Sequence, residues 1–216
     1  MRGWGLVARK PPTPQNPWVA SKQAPPEQVQ APLRTRPVNR SPVVPVRGLV
    51  GPTPSGGLPT WEPDPSRAIP RWWWVPCHGG AGSTTLAAAI GGADAGRGGW
   101  PRYPEGVRPG VVLVARTHAA GLQSAQSAAR QWASGAVGPV RLLGLVAVAD
   151  APGRLPGQLR QWLHLLAGGL PHVWAVPWHE PWRLGERPSP ESAPRQVAKI
   201  ARELRLAGES IERGIR

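Results

Sequence analysis

The sequence contains very little cysteine and lysine, and its aromatic residues are almost all tryptophan. Cys77 is the only cysteine in 216 residues, which excludes an intrachain disulfide and a zinc site built from several cysteines. Phenylalanine is absent, and the only lysines are Lys10, Lys22 and Lys199. A single free cysteine favours a reducing compartment, and Cys77 is interpreted as a buried, inert thiol.

Long apolar segments are also missing. The longest apolar run, residues 142–149, is far shorter than the ~18 residues that a membrane-spanning helix requires. Residues 1–7 contain no apolar segment of signal-peptide length. We therefore expect a cytoplasmic protein without an integral membrane segment.

Proline is abundant, with 29 residues in total, and more than half of them lie in residues 1–70. Proline interrupts helices and central strands, so this segment is predicted to be a disordered, proline-rich tail or linker. Residues 71–185 are predicted to form one α/β domain. Residues 186–216 are predicted to be a linker followed by an amphipathic C-terminal helix.

The chain has a formal net charge of +14, and its basic residues occur in all three segments. A basic balance favours acidic partners such as nucleic acid, although GC-rich coding explains the same excess of arginine. A nucleic-acid partner therefore stays open. A protein partner is expected at the proline-rich tail or the C-terminal helix, and a dimer is also left open.

The apolar pattern predicts alternating strands and helices. Continuous apolar runs predict buried strands at residues 71–76, 111–115, 142–149 and 173–176. Apolar residues at helical spacing predict helices at residues 84–90, 118–133, 155–166 and 197–211, and residues 96–110 are predicted to be a loop. The fold class is therefore α/β, with a small, mostly parallel sheet flanked by helices and a ligand crevice at the carboxyl ends of the strands.

One glycine-rich turn joins the first predicted strand to the first predicted helix. A strand, a glycine turn, hydroxyl residues and a helix form the context in which backbone N–H groups bind phosphate. The predicted nucleotide- or phosphate-binding residues are His78, Gly79, Gly80, Ala81, Gly82, Ser83, Thr84 and Thr85. The alternative is that these glycines serve only a tight connection and bind nothing.

The turn resembles the deviant Walker A motif of the ParA/MinD family of P-loop ATPases, which reads Lys-Gly-Gly-x-Gly-Lys followed by two Ser or Thr residues. The matching residues are Gly79, Gly80, Gly82, Thr84 and Thr85. The two lysines of the family fall on His78 and Ser83, so the chain looks like a degenerate and shortened member. The resemblance implies a P-loop NTPase-like fold and weak binding of ATP or ADP with Mg²⁺.

The same resemblance places four residues on the base side of a nucleotide or near Mg²⁺. They are Asp94, Thr117, Asp150 and Pro177. For Asp94, a solvated loop position is the alternative reading, because no strand-borne aspartate of the Walker B type is found. No other metal site is predicted.

These features predict a pseudo-ATPase that acts as a nucleotide- or anion-binding regulatory or adaptor module, in plasmid, phage or conjugative-element machinery by resemblance. Without the lysine and the Walker B-type aspartate, no catalytic residue is assigned. One alternative is an interaction or scaffold protein that does not use nucleotide. Another is a slow ATPase in which Arg97, Arg102 or a partner's arginine replaces the lysine.

Overall fold

The domain is built on a five-stranded parallel sheet. The computed structural model describes residues 57–213, and the side chains of residues 57–207. In chain order the strands are β1 (Thr60–Trp61), β2 (Trp73–Pro76), β3 (Ala93–Asp94), β4 (Trp100–Pro101), β5 (Gly110–Arg116), β6 (Arg141–Val148) and β7 (Val173–Val176). The main sheet has the order β3-β2-β5-β6-β7, and every neighbouring pair in it is parallel.

Helices cover both faces of this sheet. They are α1 (Ser83–Ile90), α2 (Ala119–Ala133), α3 (Gly157–Gly169), α4 (Glu180–Arg183) and α5 (Arg195–Arg213). Residues of α2 and α3 belong to the apolar cluster on one face, and residues of α1 and α5 belong to the cluster on the other. The predicted α/β class, with a mostly parallel sheet flanked by helices, is confirmed.

The sheet changes its direction of growth at β2. The chain first adds β3 on one side of β2, and then adds β5, β6 and β7 in sequence on the other side. Because crossovers between parallel strands are right-handed, this reversal places α1 on the opposite face from α2 and α3. In open parallel sheets, the point of reversal creates a crevice at the carboxyl ends of the two strands, here β2 and β5.

The three consecutive tryptophans belong to the core, as the sequence predicted. Trp72 and Trp74 pack in the cluster with α1 and α5, whereas Trp73 points to the opposite face. Trp72 and Trp74 meet edge to face at 6.1 Å, and Trp73 meets Trp61 in the same way at 5.3 Å. Such a run lacks apolar–polar alternation because both faces of β2 are covered.

Two short strands lie where the sequence predicted none. β1 pairs in parallel with β4, within the segments assigned to the tail and to the loop 96–110. The pairing is supported by Trp100, which is fully buried and donates through Nε1 to Gln131 Oε1 at 2.9 Å. The loop prediction was wrong at this point, because two-residue strands leave no periodic signal. Residues 1–56 of the predicted tail lie outside the described residues.

The remaining predicted elements are confirmed with small shifts at their ends. β5, β6 and β7 occupy the predicted strands, and α2 begins directly after its predicted first residue, His118, which is the N-cap. α3 begins at Gly157, after Pro156 at its N-cap. α5 contains the predicted C-terminal amphipathic helix and extends it at both ends.

Candidate functional site

The glycine turn, residues 78–83, follows β2 at the crevice between β2 and β5. Gly80 and Gly82 have φ angles of 74° and 103°, in the left-handed region that residues with a Cβ rarely adopt. These two glycines are therefore required by the path of the chain. The backbone N–H of Cys77 donates to Val114 O at 2.8 Å, which ties the start of the turn to β5.

The amino end of α1 carries no side-chain cap. Its N-cap is Gly82, no side chain accepts a hydrogen bond from the first N–H groups, and the first turn contains no acidic residue. These N–H groups and the positive end of the helix dipole favour an anion. A Cβ placed on Gly79 or Gly80 would meet no atom within 4 Å, so the space above the turn is open.

His78 lies in the turn as a neutral imidazole. Its Nε2 accepts from the backbone N–H of Arg116 at 3.0 Å, and its Nδ1 lies 2.9 Å from Gly79 O. An Nε2 that accepts carries no proton, so Nδ1–H is the donor to Gly79 O. His78 therefore connects the turn to the end of β5.

Arg116 is the cation that the sequence analysis missed. It is the last residue of β5. Its Nε donates to Gly80 O at 3.2 Å, and its Nη1 donates to Ala149 O at 2.8 Å. Burial lowers the pKa of the Arg116 guanidinium and Arg183 lowers it further, while Asp150 raises it. The guanidinium thus spans the carboxyl edge of the sheet from the glycine turn to the end of β6.

The position of Arg116 follows from the strand order, which the sequence does not specify. Carboxyl ends of neighbouring parallel strands meet at one edge of a sheet, so the last residue of β5 had to lie near the turn after β2. The strand order itself was needed to make that argument. Of the two arginines proposed instead, Arg97 is exposed in a short 3-10 helix whose Gly96 N–H donates to Asp94. Arg102 lines a pocket with Pro109 and Val140, before β5 and β6.

Thr84 and Asp94 form the second polar feature of the site. Thr84 Oγ1 donates to Asp94 Oδ2 at 2.6 Å, and Asp94 Oδ1 accepts from the Gly96 backbone N–H at 3.0 Å. Asp94 is the last residue of β3, paired with Trp74 of β2. The loop position considered for Asp94 was therefore wrong, because β3 is too short to show in the apolar pattern. The absence of an aspartate of the Walker B type stays a prediction.

Thr117 and Asp150 lie at the same carboxyl edge of the sheet, where they make contacts that join two strands. Thr117 is buried, its N–H donates to Val148 O at 3.0 Å, and its Oγ1 accepts from the Asp150 N–H at 3.2 Å. This pair joins the ends of β5 and β6, and the Asp150 side chain is exposed. Pro177 is exposed directly after β7.

Three of the predicted binding residues expose little of their side chains, so they present mainly backbone atoms to the site. Ala81 and Ser83 are buried, with 1% and 6% of their surface exposed, and Thr85 is half-buried. Cys77 beside them is buried as expected, and burial raises the pKa of its thiol to about 12. The exposed members of the set are Gly79, Gly80 and Thr84.

Two features, a metal-binding cluster and a membrane-spanning helix, are absent from the described residues. No three His, Cys, Asp or Glu side chains among them converge as a metal-binding group. The Thr84 and Asp94 oxygens provide two ligands, which suits Mg²⁺ only when water or phosphate supplies the others. In the same part of the chain, no helix is long and apolar enough to cross a membrane.

Comparison with known proteins corrects the family that the turn resembles. Residues 71–201 match the family described as "Family of unknown function (DUF6668)", and no ParA/MinD or P-loop family is found. No curated protein and no solved structure matches the chain. The ParA/MinD resemblance was wrong because it rested on a few glycine and hydroxyl residues of one turn, a pattern that any tight strand-to-helix connection can produce. The chain belongs to the DUF6668 family.

Proposed function

We propose that the domain is a binding module that recognises a phosphate group of an anionic ligand, such as a nucleotide, at the glycine turn. The observation that carries the proposal is the position of Arg116, whose guanidinium lies against the turn through Gly80 O at 3.2 Å. An uncapped helix end and a neighbouring guanidinium are two independent features that both favour an anion. No catalytic step is part of the proposal.

Arg116 keeps donors for a ligand. It uses Nε and one Nη1 hydrogen on the two carbonyls, Gly80 O and Ala149 O, and a guanidinium has more N–H donors than these. No ion pair with a carboxylate engages Arg116 among the described residues. A half-buried guanidinium held by neutral carbonyls retains its charge for an incoming phosphate.

Thr84 and Asp94 support a place for Mg²⁺ beside that phosphate. Their oxygens are 2.6 Å apart and both lie at the partly exposed edge of the site. Magnesium in proteins is commonly held by one or two such oxygens together with phosphate oxygens and water. The proposal therefore predicts that Mg²⁺ strengthens the binding of a diphosphate or triphosphate and adds little to that of an uncharged ligand.

Isothermal titration with Mg-ADP, Mg-ATP and Mg-pyrophosphate tests this function. Arg116→Gln should weaken binding about tenfold or more, because a charge-assisted hydrogen bond contributes ~1.5–3 kcal/mol. Arg130→Gln, an exposed arginine on α2, is the matched control and should change nothing. Asp94→Asn should remove the difference between titrations with and without Mg²⁺.

Three results would contradict the proposal. The first is the absence of binding at millimolar ligand, and the second is an equal effect of the Arg116 and Arg130 substitutions. Binding of nucleotides without binding of pyrophosphate would also contradict it, since the phosphate is the group recognised.

A nucleotide-independent docking function is the second candidate, and one observation favours it. Leu165 on α3 and Leu184 after α4 expose 69% and 81% of their surface. These are the two most exposed large apolar side chains among the described residues, and an exposed apolar patch is a mark of a protein interaction site. Substituting both by Ser should abolish capture of a protein partner and leave the titrations above unchanged.

A further inference from the structure

Helix α5 carries its positive charge on one face. Val197, Ile200 and Leu204 are buried against the domain, each with at most 1% exposed. The exposed cations of the helix are Arg195, Lys199, Arg202 and Arg205. Positions i, i+4 and i+7 share one side of a helix, so Arg195, Lys199 and Arg202 form a stripe with Arg205 beside it. We call these four residues the α5 basic face.

Three carboxylates, Glu203, Glu209 and Glu212, occur in the sequence of α5, and the side chain of one of them is described. Glu203 is the one carboxylate among the described side chains of α5, and its Oε2 accepts from Trp174 Nε1 at 2.6 Å. Its Oε1 lies 3.7 Å from Lys199 Nζ. No ion pair engages Arg195, Arg202 or Arg205 within the described residues. Three arginines are therefore available to an external anion.

The density of positive charge is particular to α5. α1 contains no Lys, Arg, Asp or Glu, α2 contains Arg130 as its one such residue, and α3 contains Arg160 as its one such residue. The net charge of +14 looks evenly spread along the sequence, yet the fold collects part of it on one exposed helix face. This arrangement is the footprint expected of a surface that meets a polyanion.

We propose that the α5 basic face binds the sugar–phosphate backbone of a nucleic-acid duplex. From Arg195 to Arg205 the helix extends about 15 Å at 1.5 Å per residue, and a duplex carries one negative charge per ~1.7 Å of its axis. Arginine also matches phosphate by paired hydrogen bonds. The inference goes beyond phosphate recognition at the glycine turn and does not rest on it.

A nucleic acid fits this face better than an anionic membrane does. Amphipathic helices bind membranes by inserting their apolar face, but the apolar face of α5 packs on α1 and the sheet. The exposed side carries the four cations and, among its described side chains, one large apolar residue, Leu206, with 57% of its surface exposed. A single leucine does not form the apolar face by which a helix inserts into a membrane. Cations spaced along one helix face can pair with the regularly spaced phosphates of a nucleic-acid backbone.

Fluorescence anisotropy with labelled random-sequence duplexes, measured across a series of KCl concentrations, tests the proposal. The variant R195Q/R202Q/R205Q should bind about tenfold more weakly or worse, and the slope of log affinity against log salt should fall by about 1 per lost phosphate contact. DNA and RNA duplexes of one sequence, measured side by side, identify which source of phosphodiester backbone binds more tightly.

The matched control is R108Q/R130Q/R160Q, which removes the same charge at three exposed arginines outside α5. It should keep most of the affinity and most of the salt slope. The variant R195K/R202K/R205K should also keep binding, since the charge remains, and circular dichroism checks that each variant is folded. R195Q/R202Q/R205Q should bind Mg-pyrophosphate as the native chain does, which separates this surface from the glycine turn.

Three outcomes would overturn the proposal. The first is an absence of salt-dependent binding of any duplex by the native chain. The second is an equal loss of affinity in the α5 and control variants, which would indicate a general effect of net charge. The third is binding to phosphatidylserine vesicles but to neither duplex, which would identify a membrane surface as the partner.

Discussion

At the scale of the residue, His78 and Arg116 determine the shape of the glycine turn. His78 accepts from the Arg116 N–H, and the Arg116 side chain donates back to Gly80 O. The two residues are far apart in sequence, so no local pattern could predict that they meet. The turn could be recognised in the sequence by its glycines, which positive φ angles favour. The cation beside the turn could be located only once the order of the strands was known.

Gly121, in the first turn of α2, is the residue that allows this contact. A Cβ at this position would meet the Arg116 carbonyl oxygen and lie 3.0 Å from His78 Nε2. We expect Gly121→Ala to lower the free energy of unfolding by about 1–3 kcal/mol, as overpacking does, and to weaken phosphate binding. Denaturant unfolding and titration with Mg-ADP provide the two measurements.

Gly168→Ala on α3 is the control for this substitution. No atom lies within 4 Å of a Cβ at Gly168, and its φ is helical, so the free energy of unfolding should stay constant or rise by up to about 1 kcal/mol. Equal effects of the two substitutions would mean that the contact with Arg116 and His78 is unimportant.

Because of Cys77, the free energy of unfolding should depend on pH in the alkaline range. Burial raises the pKa of its thiol to about 12, whereas an unfolded cysteine titrates near ~8.5. Above the unfolded pKa the folded state binds more protons than the unfolded state, so stability is full below pH ~8.5 and declines by up to about 1.4 kcal/mol per pH unit as the pH rises toward 12. Urea unfolding at a series of pH values measures the decline.

Cys77→Ala removes the titrating group and serves as the comparison. Its free energy of unfolding should fall less steeply with alkaline pH than that of the native chain. Parallel curves for the two proteins would show that the thiol is accessible to hydroxide in the folded state, against its 4% exposure.

At the scale of the element, Gln131 holds β1 and β4 to helix α2. Its amide donates to Leu58 O at 2.8 Å and accepts from Leu58 N at 2.9 Å, and the same oxygen accepts from Trp100 Nε1. This buried glutamine forms hydrogen bonds with three polar groups in two other segments, Leu58 before β1 and Trp100 in β4, and so connects both to α2. The short strands β1 and β4 owe their position to this side chain.

Gln131→Leu should therefore release the segment that contains β1. The substitution leaves buried backbone and indole groups without partners, at ~1–3 kcal/mol each, so we expect a loss of at least about 2 kcal/mol. Hydrogen exchange by mass spectrometry should show reduced protection of residues 58–61. The control Gln123→Leu, at an exposed position of the same helix, should leave protection of this segment unchanged.

The elements also show what a sequence can reveal. β5 and β6 were predictable because both of their faces are buried, so nearly every residue is apolar. α2 and α5 were predictable because one face of each repeats at helical spacing. β1, β3 and β4 have two residues each, too few for any period, and the prediction of Asp94 as a loop residue failed for that reason.

At the scale of the whole molecule, the candidate site depends on an order of strands that the sequence does not specify. The pattern predicted parallel strands and a crevice at their carboxyl ends, but the neighbours of each strand were unknown. Placing β2 between β3 and β5 brings Asp94 to one side of the turn and Arg116 to the other. The glycines alone led to a family assignment that the comparison with known proteins overturned.

The same strand order has a consequence for synthesis on the ribosome. After β2, every strand of the main sheet emerges when a neighbour has already been made: β3 and β5 beside β2, then β6, then β7. The sheet can therefore assemble progressively as the chain lengthens, since no strand waits for a later one. Helix α5 is made after every strand of the main sheet and, together with α1, covers the face that contains Val112 and Val146. Until α5 is made, the part of this apolar face that α1 does not cover stays open to solvent, as the kind of surface that chaperones bind.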